Sequence, residues 1–433
     1  MSTDVSDRTE EGLQPAGSSV LRKLFLPLGL ILAVAAVGVA IAVWFRVQRG
    51  LNTAALSLRS HQYAEARAAA ERYLWLYPDD PQARLYAAKG YALDDDLPAE
   101  SAARYAVAHL EKIPDTAQNA AEARTLEGRL TFLILLQPTR AEKLFKRALE
   151  VDPDQFDSNY LLWKLYDMTE RYFESESFFR ATYRLVPEEQ KSFRLREWYL
   201  SQFNPLSACG ELDEMMGFRQ ATEPASETVA YRRLTAFADN EPDSPIIAAA
   251  VAQAYLRNRQ RDLALDTLEK VPDSDSVTEP FYLATLTEVL LELGQPERAK
   301  KIYAKWPESS GGYRYWRISG MIAQLADADF ARAADFFKRA LADWPGPSDW
   351  LTMHRRFRCL ALLGDKEEAE SVRKRSEVVE ALMELDVHQK RWDALTNLND
   401  PKRLAEIAEF YGTLDRPWEQ QQWEAEISRL TRN

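Results

Sequence analysis

The sequence predicts an all-α protein, a solenoid of stacked helical hairpins preceded by one membrane-spanning helix. Three observations predict it. Ala, Leu, Glu and Arg abound while Gly is scarce, at 16 of 433 residues, a composition that favours helices. Long alternating runs of Val, Ile and Thr, the mark of strands, are missing from the sequence. A set of small and aromatic residues returns at fixed offsets along most of the chain, which selects one long array over two or three ordinary domains.

Residues 1–23 form an acidic stretch (Asp4, Asp7, Glu10, Glu11) that reads as a disordered tail. Leu24 to Phe45 is uncharged. As a helix it would reach roughly 33 Å, enough for a hydrocarbon core of about 30 Å. Arg22 and Lys23 flank it on one side and Arg46 and Arg49 on the other, with Trp44 and Phe45 at interfacial depth. The run therefore reads as a single transmembrane helix, 24–45. Ala40-Ile41-Ala42 offers a rival reading as a signal-peptide cleavage site, against which stands the length of the run. Nearby basic residues tie (Arg8, Arg22, Lys23 against Arg46, Arg49, Arg59). The basic doublet before the first apolar segment then favours a cytoplasmic N-terminus and an extracytoplasmic solenoid at the cell (inner) membrane.

Beyond residue 46 the repeat begins. Ala141, Phe145, Ala148 and Pro153 stand at offsets 0, 4, 7 and 12. The same offsets recur at Ala66-Ala70-Tyr73-Pro78, Ala102-Ala106-His109-Pro114 and Ser175-Phe179-Thr182-Pro187. They return at Ala230-Leu234-Phe237-Pro242 and Ala333-Phe337-Ala340-Pro345. Copies at Ala264-Leu268-Val271 and Ala299-Tyr303-Trp306 bring the proline forward. Offsets 0, 4 and 7 share one helical face. Small residues at 0 and 7 admit a neighbouring helix, the large residue at 4 fills the gap, and proline ends the helix. With a preceding helix each unit is a hairpin of about 34 residues that must stack on its neighbours to bury its apolar face.

These residues resemble the tetratricopeptide repeat, which places a small residue at its eighth position, Ala at the twentieth and twenty-seventh, an aromatic at the twenty-fourth and Pro at the thirty-second. Ala141-Phe145-Ala148-Pro153 and Ala333-Phe337-Ala340-Pro345 match the last four. Arg129 departs from the pattern at a normally small position. The resemblance divides the chain into an N-terminal array (47–203), an irregular insertion or distorted repeat (204–228), a C-terminal array (229–399) and a capping helical pair (400–433). It implies a scaffold or adaptor that binds other proteins, in a membrane-tethered form serving envelope assembly or maturation of exported proteins. The alternative is a receptor for an anionic or glycan ligand, which needs a deep aromatic pocket; Trp350 is the one hint of it.

A net charge of −12 argues against nucleic acid as partner. Cys209 and Cys359 are too few for a disulfide framework or a paired zinc motif and read as buried thiols. His61, His109, His354 and His388 each lack a second ligand at metal spacing, and Asp94-Asp95-Asp96 reads as a solvated loop. No nucleotide-binding or hydrolase motif occurs. The reading is therefore a non-enzyme without metal, cofactor or small-molecule substrate. The candidate partner-binding residues are Arg314, Tyr315, Arg317, Arg355 and Arg358, on the first helices of successive hairpins. Their guanidinium groups and neighbouring Tyr rings suit an acidic peptide or a C-terminal carboxylate.

Overall fold

The computed structural model describes residues 37–38, 44–45, 49–306 and 311–432, and every regular element among them is helical. The chain forms two compact units, Met1–Leu97 and Pro98–Asn433.

In the first unit, α1 (49–59), α2 (Tyr63–Leu74) and α3 (Pro81–Ala92) surround a small core of Ala54, Ala69, Ala70 and Ala87. Asp80 caps α3 by accepting from the Ala83 amide, and Pro81 opens the helix where no amide partner is needed. The expected tail 1–23 lies outside the described residues, as does the expected 24–45 span except for Val37, Gly38, Trp44 and Phe45. Trp44 donates its indole N–H to the Tyr77 hydroxyl at 3.0 Å. Among the described residues no helix is long and apolar enough to cross a membrane. The expected single-pass location, with its assignment of sides, is corrected accordingly.

The second unit runs from α4 (Ala99–Leu110) through the hairpins α5/α6 (Ala120–Leu133, Pro138–Val151) and α7/α8 (Phe156–Met168, Glu176–Leu185) to α9 (Glu188–Phe203). Two short helices follow, α10 (Pro205–Ala208) and α11 (Gly210–Met215), then α12 (Glu227–Asn240). Hairpins resume as α13/α14 (Pro245–Arg257, Arg261–Glu269), α15/α16 (Pro280–Glu292, Pro296–Tyr303), α17/α18 (Gly312–Leu325, Phe330–Ala342) and α19/α20 (Trp350–Leu363, Lys366–Leu382). α21 (Leu385–Leu395) leads into the terminal pair α22/α23 (Pro401–Thr413, Pro417–Arg432). Side-chain caps from Ser226, Ser244, Asp329, Asp349, Asp365 and Asp400 start the corresponding helices.

The repeat residues meet as their spacing predicts. Ala141, Phe145, Ala148, Ala333, Phe337 and Ala340 are fully buried, as are Ser175, Phe179 and Thr182. Phe145 and Phe337 each lie on a glycine of the preceding helix: a Cβ on Gly128 would sit 2.6 Å from the Phe145 ring, and one on Gly320 would collide with Phe337. Phe179 packs instead on Trp163 of α7. The small position opposite Phe145 is therefore Gly128, which corrects the reading of Arg129 as its occupant; Arg129 is exposed. The one-residue offset comes from the four-residue loops 134–137 and 326–329, where Leu136 and Ala328 take positive φ. The helices of the two copies with forward prolines are short, nine residues in α14 and eight in α16.

The second unit also joins helices far apart in sequence. The Glu241 carboxylate accepts from the backbone amides of Thr139 (2.8 Å) and Arg140 (3.0 Å) at the start of α6, and Thr139 Oγ1 meets Ser244 Oγ at 2.8 Å. This carboxylate satisfies free amides at the positive end of α6. Arg257 of α13 pairs with Glu170 after α7. The terminal pair packs onto α8 and α9. Trp198 Nε1 donates to Glu419 at 3.1 Å, Tyr411 OH to Gln202 at 2.8 Å, and Arg416 pairs with Glu176 at 2.9 Å. Trp198 stacks on Phe179 with ring centroids 4.4 Å apart, and Trp418 meets the edge of the same pair. One continuous core runs from Phe132 to Trp423.

Candidate binding face

The predicted arginines sit on α17 and α19, beside α15. Glycines open α17: Gly311 and Gly312 both take positive φ, which lets the chain enter the helix where a side chain would be strained. Arg317 Nη2 donates to Glu288 of α15 at 2.6 Å, and its Nε lies 3.8 Å from Asp349. Burial works against both charges of the Arg317–Glu288 pair, but each outweighs it for the other: the Arg317 pKa rises and the Glu288 pKa falls. Asp349 also caps α19 through the Thr352 amide (3.0 Å) and accepts from the Tyr313 hydroxyl (2.6 Å). Burial first, then Asp349, push the Tyr313 phenol well above its ordinary pKa.

Arg314 turns the other way. Its Nε donates to Glu174 at 3.1 Å, and its guanidinium covers the rings of Phe281 (4.6 Å) and Phe173 (5.2 Å). Tyr315 is core, 6 % exposed, packed edge-on against Trp306 and Trp316. Arg355 is half-buried, and Gln324 accepts from its Nη1 at 3.2 Å. Burial, then the charge of Arg317, push the Arg355 pKa below its ordinary value. Arg358 is exposed. The structure thus groups Arg317 with Arg355, turns Arg314 toward Glu174, and packs Tyr315 into the core behind the first of two cavities.

Two adjoining cavities of about 450 and 490 Å³ open beside this face and share Phe173, Tyr313 and Trp344. The first reaches the buried Glu142, which binds Arg171 at 2.7 Å and Lys146 at 2.7 Å. Burial opposes its ionisation, yet the two cations outweigh it and hold its pKa down at about 2. The second is walled by Tyr172, Phe173, Phe203, Tyr313 and Trp344, with His388 at its rim. His388 Nδ1 meets the Tyr199 hydroxyl at 3.2 Å, and burial followed by Arg391 lowers its pKa, which favours the neutral ring.

Sequence reasoning missed the acids and the aromatic walls. Glu288 and Asp349 lie 29 residues before and 32 after Arg317, close to one repeat, a spacing that flags facing positions on successive first helices. Glu174, Phe173 and Phe203 carry no such signal. Trp350 lines neither cavity. Both cysteines are buried thiols.

No family model and no curated protein matches the chain. Among solved structures, it is similar to the APC/C hetero-tetramer Cut9-Hcn1 at 12 % identity and a TM-score of 0.35, covering 90 % of this chain and 94 % of that one. It is similar to the P58(IPK) TPR domain at 17 % identity and a TM-score of 0.26, covering 89 % and 97 %. A tetratricopeptide repeat protein from Parabacteroides merdae matches at 14 % identity and a TM-score of 0.30, covering 77 % and 99 %. At such scores the fold rests on the chain's own geometry, an all-α array of helical hairpins in which Phe145 and Phe337 of second helices seat on Gly128 and Gly320 of the first.

Proposed function

We propose that the chain is a protein-binding scaffold whose second unit takes an acidic segment of a partner at Arg355 and Arg358. The observation behind this reading is the uneven neutralisation of the arginine group. Glu174 answers Arg314, and Glu288 and Asp349 answer Arg317. Arg355 has a neutral amide as its bonded partner; Arg317 repels it, and the carboxylates of Glu288, Asp349 and Glu292 act on it without an ion-pair contact. A half-buried guanidinium in that setting favours the arrival of a carboxylate, with the exposed Arg358 adding attraction at the rim.

The test is capture of a capped oligo-glutamate peptide by the full chain, measured by calorimetry at low and high salt. The double substitution Arg355→Glu and Arg358→Glu is expected to weaken capture at least tenfold. Arg314→Gln is expected to change it by less than about threefold, because Glu174 already occupies that group. Unchanged capture by the double variant discards the site.

A receptor for a non-protein ligand is the second reading, favoured by the aromatic cavity that the sequence had required of it. A glycan, however, presents hydroxyl donors that need acceptors. The carboxylate lining that cavity, Asp349, is engaged with Tyr313 and Thr352.

A further inference from the structure

The first helices α15, α17 and α19 are joined one to the next. Glu288 of α15 accepts from Arg317 of α17 at 2.6 Å. Arg317 in turn lies 3.8 Å from Asp349, the cap of α19, and Gln324 accepts from Arg355 at 3.2 Å. Met321, on the α17 face between Arg317 and Gln324, is 1 % exposed. The helix that follows the α19/α20 hairpin does not continue this row. α21 turns to α9, where His388 Nδ1 meets the Tyr199 hydroxyl at 3.2 Å and Arg391 Nε donates to it at 3.0 Å.

A stripe of α19 is left facing water. Leu351, Arg355, Arg358 and Leu362 follow one another at spacings of four, three and four residues, which sets them within about 60° round the helix. Leu351 is 56 % exposed and Leu362 67 %. Two apolar side chains thus bracket two guanidinium groups along about 16 Å of helix. The nearby acids are committed: Glu288 and Asp349 hold Arg317, and Asp365 caps α20 through the Glu368 amide. Arg355 bonds the neutral Gln324 amide, and Arg358 is exposed.

An occupant that complements this stripe brings two carboxylates between two apolar groups. A helix presents such a set on one face at the same four-three-four spacing. The spacing reads alike in both directions, so a helix of either polarity fits. A second copy of the stripe is a poor match, because arginine would face arginine.

We propose that the Leu351–Leu362 stripe docks an amphipathic acidic helix of a partner protein, seated beside α19 as a further first helix would be. Its carboxylates meet Arg355 and Arg358, and its apolar residues cover Leu351 and Leu362. This inference rests on the scaffold reading and names the form of the acidic segment.

The probe is a capped alanine-rich peptide of about eighteen residues, long enough to form a helix. It carries leucine, glutamate, glutamate and leucine at the four-three-four spacing and is titrated into the full chain by calorimetry. One control has the same composition with these four residues dispersed round the helix; a second has a central proline, which breaks the helix. The probe is expected to bind saturably, at least tenfold more tightly than either control. Leu351→Ala with Leu362→Ala is expected to weaken the probe about tenfold and to leave oligo-glutamate capture within about twofold. Circular dichroism confirms that the variant keeps its helical content.

Equal binding of probe and controls, or binding indifferent to the leucine variant, overturns the inference. So does self-association of the full chain in sedimentation that the leucine variant abolishes, which would assign the stripe to a second copy. If any of these occurs while oligo-glutamate capture stays sensitive to Arg355 and Arg358, only this inference falls. If neither peptide depends on the two arginines, the scaffold reading of this site falls with it.

Discussion

The hairpin α17/α18 and the face where α9 meets α22 and α23 are both buried, yet they are specified differently. Phe337 finds Gly320 seventeen residues earlier, within one hairpin and at a spacing shared by Phe145 and Gly128. Trp198 finds Glu419 across 221 residues, and Tyr411 finds Gln202 across 209. The first kind of contact is set by local periodicity. The second depends on the summed rotation of every hairpin between its partners. An open repeat array is stabilised by nearest-neighbour terms alone; this unit adds contacts that couple its middle to its end.

The largest expected effect separates these two kinds of contact. Trp198→Ala removes a fully buried indole and its bond to Glu419, at a cost of about 3–5 kcal/mol. Urea unfolding with limited proteolysis should then show α22 and α23 cut first, while α17/α18 stays protected. Loss of both regions in one step would mean that the closing face carries no separate stability.

The next effect probes the buried polar group beside that face. Burial pushes the Asp167 carboxyl up to about 7, with Lys164 and the Ser201 hydroxyl pulling it back; Ser201 donates to it at 2.6 Å. A folded pKa above the ordinary 3.8 means that the folded protein holds this proton more tightly. Its stabilisation is full below about pH 4 and is lost as pH rises through about 7, by about 2–4 kcal/mol. Thermal melts at pH 5 and pH 8 should differ in the wild type and converge in Asp167→Asn. Equal wild-type melts would show that Lys164 keeps Asp167 ionised throughout.

The smallest expected effect returns to the regular hairpin. Gly320→Ala forces Phe337 to move, at a cost of about 1–3 kcal/mol by overpacking. Gly364→Ala is a poor comparison, since that glycine has positive φ and open space. A neutral Gly320→Ala would mean that the ring yields freely, against the close fit inferred from the repeat.

The same division explains what the sequence made legible. Helix class, hairpin register and the aromatic-on-glycine packing follow from residues within one repeat of each other, as Gly128, Ala141 and Phe145 illustrate. The arginines of α17 and α19 stood out for the same reason. Their neutralisation did not, because Glu174 lies 140 residues from Arg314 and belongs to a 3₁₀ turn outside the repeat. The cavity escaped too, since Phe203, Trp344 and Phe173 converge from three distant segments. The membrane expectation rested on hydropathy, flanking charge and terminal aromatics, properties of the segment that say nothing of bonds such as Trp44 to Tyr77.

The 221-residue span between Trp198 and Glu419 also sets a timetable for synthesis. Ribosomes add roughly 5–20 residues per second, so α9 leaves the exit tunnel about 10–45 s before α23 exists to cover it. During that interval the apolar side of Trp198 and Phe179 faces water without its final neighbours, long enough for chaperones to engage it. A chain released before α22 and α23 would keep that surface bare, an aggregation hazard confined to truncated products.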